Sequence, residues 1–423
     1  MLSIDMTDYS LYNLKPSTVL QPSSIDALAE QVRQANSERA VIVPWGSGTR
    51  QHIGAAPARY DIALDLKGLN RIIEHNPADL VVTVEAGISL ATLQAALAQH
   101  GQTLPWDPPV SGDATIGGLL ATLAAGPLRL GYGPPRDWTL GMRVVLGDGR
   151  IVKSGSKVVK NVAGYDSHKL HLGALGTLGI ISEVTFKVAS PLQAHRSVAL
   201  PVANASEALQ AIEQLRANPI GPVSILALNY VQAQAFGELQ GLLASPIDYL
   251  VIARYAGIEA AVERQVSTAL ERCAKLNSRK ATVFDDQADS QLWQALAQIA
   301  AGGQSELLLR AGAQPKQLAQ LAQILEAPAA ERGWPTAITL YGGVGLAYAR
   351  WQTPDQPDEV VAALTKARVA LPANAYLVVE DAAPTLRPQL DIWGKQPETI
   401  GLMRNLKAQW NPNDLINPGR YLL

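Results

Sequence analysis

An α+β fold is predicted for this chain of 423 residues, and three features of the sequence predict it. Residues 1–190 hold short β-rich runs separated by glycine-rich turns. Residues 191–385 alternate strands with longer helical stretches. Residues 386–423 add a last helix and a loop rich in Asn, Pro and Gly. With 48% hydrophobic residues a disordered chain is excluded, and the length suits two or three domains with ordinary cores.

In the first part, 39–43 reads as a strand entering the turn Pro44-Trp45-Gly46-Ser47-Gly48, and 62–66 and 80–85 read as further strands. The spacing of Leu90, Leu93 and Leu97 predicts a helix over 88–100 that stops at Gly101. A Gly147-Asp148-Gly149 turn between 141–146 and 151–154 predicts a hairpin, and 180–188 is another strand. Pro191 marks the boundary. Beyond it, strands at 197–201, 224–229, 249–255, 306–310, 337–341, 346–351 and 376–380 interleave with helices at 204–216, 258–275, 315–325 and 358–371. Asn204 and Glu207 make a capping pair for the first of these helices. One mixed sheet with helices packed on it accounts for this alternation. A helix to Trp410 ends the pattern, and no repeat or low-complexity segment is legible.

Composition narrows the function. Lys and Arg number 35 against 37 Asp and Glu, so no electrostatic footprint for nucleic acid is present. The uncharged stretch 114–128 is too short to span a bilayer, and residues 1–9 carry Asp5 and Asp8 rather than the basic-then-apolar order of a signal peptide. The expectation is a cytoplasmic protein that is not integral to a membrane and touches one only peripherally, through partners. A lone Cys273 can form no internal disulfide and can hold neither an iron–sulfur cluster nor a structural zinc. Histidine occurs at 52, 75, 100, 168, 171 and 195 and nowhere after, so the second half builds no His-ligated metal site.

Three stretches carry chemistry. Gly46 and Gly48 follow an apolar strand, so their N–H groups can line an anion nest or simply turn the chain. A dinucleotide fingerprint fails because Gln51 stands where its third glycine belongs, and no Walker loop is present. In the second stretch, 104–118, adjacent prolines fix the chain, Gly117 and Gly118 permit close approach, and Thr115 adds a hydroxyl. This suits a flat ring system needing backbone hydrogen bonds, or a buried structural loop. The third runs from Lys157 to Asp166 and on through Gly173, Gly176 and Gly179, which make sense before a strand if backbone must meet a ligand. His168 and His171 are expected at the surface or between domains.

These stretches, in this order and spacing, resemble the FAD-binding domains of the vanillyl-alcohol oxidase and p-cresol methylhydroxylase (PCMH) superfamily. Within it, 125–129, Arg136-Asp137, Leu140-Gly141 and Lys160-Asn-Val-Ala-Gly-Tyr-Asp166 look like the FAD-binding E subunits of bacterial glycolate oxidase complexes rather than their catalytic D subunits. The resemblance implies a two-part PCMH-type FAD-binding domain (1–190 with a C-terminal return segment, 386–423) and an inserted ferredoxin-like α/β cap (191–385). It implies that Gly46, Ser47, Gly48 and Thr49 cradle the pyrophosphate, and that Asp107, Thr115, Gly118 and Thr122 line the flavin and ribityl region. Gly179 and Ile181 would offer backbone contacts, and Asn417 and Arg420 would return to the flavin.

Departures from the family matter too. Thr49 stands where some relatives tether flavin through histidine, so FAD is expected to be non-covalent. The D-subunit histidines of the substrate side are missing at 341–345 and 380–384. The implied function is FAD-dependent redox work on a small 2-hydroxy acid, glycolate above all, beside a D-like catalytic flavoprotein and an iron–sulfur subunit. A stand-alone oxidase for another hydroxy acid or a sugar, and a non-catalytic FAD-holding assembly subunit, are the alternatives. The catalytic base is not identified; Tyr165, Lys160 and Tyr341 are the candidates.

Overall fold

The computed structural model describes residues 9–422, apart from 111, 158–163, 220, 277–278, 303–306 and 355. Strands β1 (Thr18–Leu20), β2 (Ile42–Trp45) and β3 (Ile62–Asp65) form a parallel sheet in the order β1-β3-β2. A helix at Ile25–Glu38 connects the first two. Ser24 caps it by accepting from Ala27 N at 3.1 Å, and Leu28, Ala29, Val32 and Ala35 bury one face against Ile42 and Leu64.

A second sheet runs β4-β5-β8-β6-β7, all antiparallel, from β4 (Ile72–Asn76), β5 (Val81–Glu85), β6 (Thr139–Val145), β7 (Ile151–Gly155) and β8 (Ile180–Lys187). The expected 141–154 hairpin is β6–β7, paired from Gly141↔Gly155 to Val145↔Ile151. The chain end returns here. Ile416 bridges Ile42 in parallel, Ile42 N donates to Leu415 O at 2.7 Å, and Asn417 N donates to Ile42 O at 2.9 Å.

The remaining strands are β9 (Ala194–Val202), β10 (Ser224–Asn229), β11 (Tyr249–Gly257), β12 (Thr282–Asp285), β13 (Leu307–Gly312), β14 (Thr336–Tyr341), β15 (Leu346–Trp351) and β16 (Tyr376–Asp381). They form one sheet, β12-β9-β11-β10-β14-β15-β13-β16. The expectation of a mixed sheet is corrected: every pairing in it is antiparallel. The physical reason is a repeat that the sequence hides. Each half runs strand–helix–strand–strand–helix–strand, so its third strand inserts antiparallel between the two that the first helix joins. The halves meet edge to edge at β10 and β14. Both are ferredoxin-like.

Strand alternation divides the faces of this sheet. Val251, Leu309, Ala349 and Val379 point to a core shared with the helices Ala205–Arg216, Glu259–Lys275, Leu318–Ala330 and Pro357–Val369. Their neighbours Leu308, Tyr341 and Tyr348 belong to the opposite face. By the same alternation Arg310 and Glu380 lie on that opposite face. Among the described residues, no helix is long and apolar enough to cross a membrane.

Candidate functional site

A cleft opens where β2, the 115–122 segment, the 175–181 turn and the C-terminal loop converge. Local chemistry builds each wall. Strand β2 delivers the chain to Gly46, where an added Cβ would lie 2.0 Å from Thr115 Oγ1, so only glycine lets the two loops close on each other. Gly48 follows at φ +77°, beside the Trp45 ring. That ring is fixed by Trp45 Nε1 donating to Tyr60 Oη at 2.6 Å. On the facing loop, Thr122 Oγ1 donates to Gly118 O at 2.9 Å.

The C-terminal loop supplies the last wall. Asn417 Nδ2 donates to Leu175 O at 2.7 Å, and Arg420 Nη2 donates to the carbonyls of Gln51 and Ile53, each at 2.8 Å. The two Arg420 bonds hold the end of the chain against the first loop across more than 360 residues.

The cleft fits a dinucleotide. Leu66, Ala86, Leu175 and Ile180 give apolar walls, while Ser47 Oγ, Asn417 Oδ1 and Arg420 Nε are buried polar atoms left without a hydrogen bond. Unsatisfied groups of this kind are costly unless a ligand meets them.

The face of the eight-stranded sheet opposite the four long helices brings a second set of groups to the same region. Arg310 on β13 pairs with Glu380 on β16 and donates through Nη1 to Tyr376 Oη at 2.8 Å. Tyr341 and Tyr348 pack with ring centroids 5.3 Å apart and planes inclined by 54°, and Tyr341 Oη has no hydrogen bond. Facing them are Arg50, whose charge feels Glu380, Tyr348, Arg310 and Asp381, and His52 beside it. Arg387 locks the seam, donating to Gly54 O at 2.6 Å and to His52 O. Burial first, and Arg50 second, push His52 down to about 4, so its imidazole is neutral at physiological pH.

Of the residues expected at the cofactor, Gly46, Ser47, Gly48, Thr49, Thr115, Gly118, Thr122, Gly179, Ile181, Asn417 and Arg420 all line the cleft. Asp107 does not. Its carboxylate accepts from Leu128 N at 3.0 and 3.2 Å, and it stands close enough to Tyr341 to influence that phenol. Burial raises its carboxyl to about 7.

The catalytic candidates separate. Tyr165 is 96% exposed and absent from the cleft, Tyr341 is buried on the sheet face beside Asp107, and Lys160 lies outside the described residues. His168 and His171 are buried rather than at the surface, and His171 stacks on Trp410 at 4.8 Å. Of the three late glycines, Gly176 and Gly179 line the cleft, whereas Gly173 packs against Leu123. Sequence reasoning passed over Arg50 and His52. Their signal was a charged and an imidazole side chain directly after the glycine turn. Among the described residues, no group of three His, Cys, Asp or Glu side chains is placed to hold a metal ion.

Two family models match the chain: FAD binding domain over residues 16–155, and FAD linked oxidases, C-terminal domain, over residues 192–318 and 393–421. A D-2-hydroxyglutarate dehydrogenase of Xanthomonas citri pv. viticola is 29% identical over 429 residues, covering 96% of this chain and 89% of that protein. Glycolate oxidase subunit GlcE of Escherichia coli is 37% identical over 199 residues, 47% of this chain and 56% of that protein. Glycolate oxidase subunit GlcD of Bacillus subtilis is 26% identical over 424 residues, 97% and 89%. Among solved structures, an alkyldihydroxyacetonephosphate synthase superposes with a TM-score of 0.73 at 18% identity, over 97% of this chain and 78% of that one, which shows a shared fold.

Proposed function

The chain belongs to the FAD-linked oxidase family, with FAD as its cofactor, and on that premise we propose that it serves the oxidation of a small 2-hydroxy acid such as glycolate, as an E-type subunit of a multi-subunit complex. Bound FAD supplies the two-electron acceptor for a carbon bearing a hydroxyl. Backbone and hydroxyls at Gly46, Ser47, Gly48 and Thr49 hold the pyrophosphate. Thr115, Gly118, Thr122, Gly179 and Ile181 flank the ribityl chain and rings, and Asn417 and Arg420 close the cleft behind them. The redox end is assigned toward the seam, where Arg50 and His52 from the first part meet Arg310, Glu380 and Tyr348 from the sheet.

One observation carries the subunit reading. Arg310, a guanidinium able to hold a substrate carboxylate, is already paired with Glu380, and the sheet that bears it has no histidine after His195. A D-like flavoprotein then supplies the main turnover, and electrons leave singly through an iron–sulfur partner. The test is steady-state glycolate oxidation with an artificial acceptor, comparing the purified chain with the complex reconstituted from D-like and iron–sulfur subunits. Activity confined to the complex supports the proposal, and equal turnover by the lone chain defeats it.

A further inference from the structure

Arg50 is a cation in the cleft wall with no direct ion-pair partner among the described residues. It lines the cleft, yet its Nε and Nη1 are buried with no hydrogen bond, and no ion pair engages it among the described residues. The nearby acids are committed elsewhere: Glu380 pairs with Arg310, and Asp381 lies 3.6 Å from Arg387 and accepts from Ala382 N at 2.9 Å. The adjacent His52 imidazole is neutral, so it adds no second positive charge. Arginine stays protonated even where burial opposes it, so Arg50 brings to the seam a fixed positive charge that Glu380 and Asp381 offset only from a distance, with no direct ion pair among the described residues.

Hydride addition to a flavin ring brings two electrons and one proton, leaving the ring with one more negative charge than before. We propose that Arg50 is the residue that compensates this charge, holding the reduced, anionic flavin more tightly than the oxidised one and so raising its reduction potential. The inference rests on the assignment of FAD to this cleft, but not on the identity of the hydroxy acid. A guanidinium fixed in advance in a partly dehydrated seam costs no reorganisation when the charge arrives.

The experiment uses the FAD-loaded full chain without substrate. The two-electron midpoint potential is read by dye equilibration, and sulfite, which adds to oxidised flavin and leaves it anionic, is titrated spectrophotometrically. In Arg50→Gln the sulfite dissociation constant should rise at least tenfold. A tenfold loss in preference for the reduced form would lower the midpoint by about 30 mV. Arg50→Met keeps an unbranched chain without charge and should match it, providing a second route if the glutamine variant does not accumulate. Arg50→Lys should fall between. Variants that keep one FAD per chain with wild-type potential and sulfite affinity overturn the proposal. So does loss of FAD from every uncharged variant while Arg50→Lys keeps it, which would make Arg50 a phosphate clamp. Wild-type failure to bind FAD would instead strike at the cleft assignment.

Discussion

Glu380 and Arg310 pair across two neighbouring strands, β16 and β13, with side chains 9% and 27% exposed, on the sheet face that carries Tyr341 and Tyr348. Burial alone would raise the Glu380 carboxyl, but Arg310 and then Arg50 overcome it, and the net direction is down. A depressed carboxyl stabilises the fold above its unfolded value, about 4.3, and loses that contribution as pH falls through its lower folded value.

Glu380→Gln should therefore destabilise the chain at pH 7 by about 1–3 kcal/mol, since it leaves Arg310 partly buried without its counter-charge. Urea unfolding of the flavin-loaded variant at pH 7 and pH 4 measures this. The difference should shrink at the lower pH, and equal midpoints at pH 7 would show the pair to be energetically idle.

Gly46→Ala should weaken FAD binding at least tenfold. The new Cβ would sit 2.0 Å from Thr115 Oγ1 and 2.9 Å from its Cγ2, forcing the first loop away from the second. Replacing Thr115 by glycine in the same chain removes the colliding side chain and should restore part of the affinity. Fluorescence titration of the apoprotein with FAD reads both effects, and a single variant with wild-type affinity would remove this loop contact from the site.

Flavin should leave the wild-type chain intact on acid or heat denaturation. Thr49 lines the cleft where a tether would need an imidazole, and Cys273 is buried in the helix Glu259–Lys275 within the cap core. Fluorescence remaining on the polypeptide after denaturing electrophoresis would contradict non-covalent binding.

The cleft was legible in the sequence because its residues sit in glycine-rich runs whose composition only a close backbone approach explains. Three such runs and the closing Asn-Pro-Gly-Arg name nearly the whole lining. Asp107 misled because its loop belongs to the same stretch as Thr115, although its carboxylate turns instead to Leu128 N. The charged seam was not legible, since Arg50 and Glu380 meet only through tertiary structure, on a sheet face defined by strand parity. Edge strands β1, β4 and β12 escaped notice because they are short, and β4 is largely exposed without alternation. The helix Ile25–Glu38 had its signal in Ser24 followed by Leu28, Val32 and Ala35, which sequence inspection passed over.

Asp107 supplies the last expectation, with the opposite pH sign to Glu380. Burial lifts its carboxyl from the usual value to about 7, outweighing the N–H of Leu128 that favours the charged form. The folded state therefore holds a proton that the unfolded state releases near pH 4, and stability from this group is complete below that value. It is lost as pH rises, and the loss is complete once pH passes about 7. The full shift would correspond to about 4 kcal/mol, and solvent in the partly open seam reduces it. Asp107→Asn keeps an oxygen to accept from Leu128 N and never ionises. It should match the wild type near pH 4.5 and exceed it in thermal midpoint at pH 8. The same variant should leave FAD stoichiometry unchanged, because Asp107 does not line the cleft. A thermal midpoint for Asp107→Asn below that of the wild type at pH 8 would show that the carboxylate is paired at that pH, and would place a cation beside it.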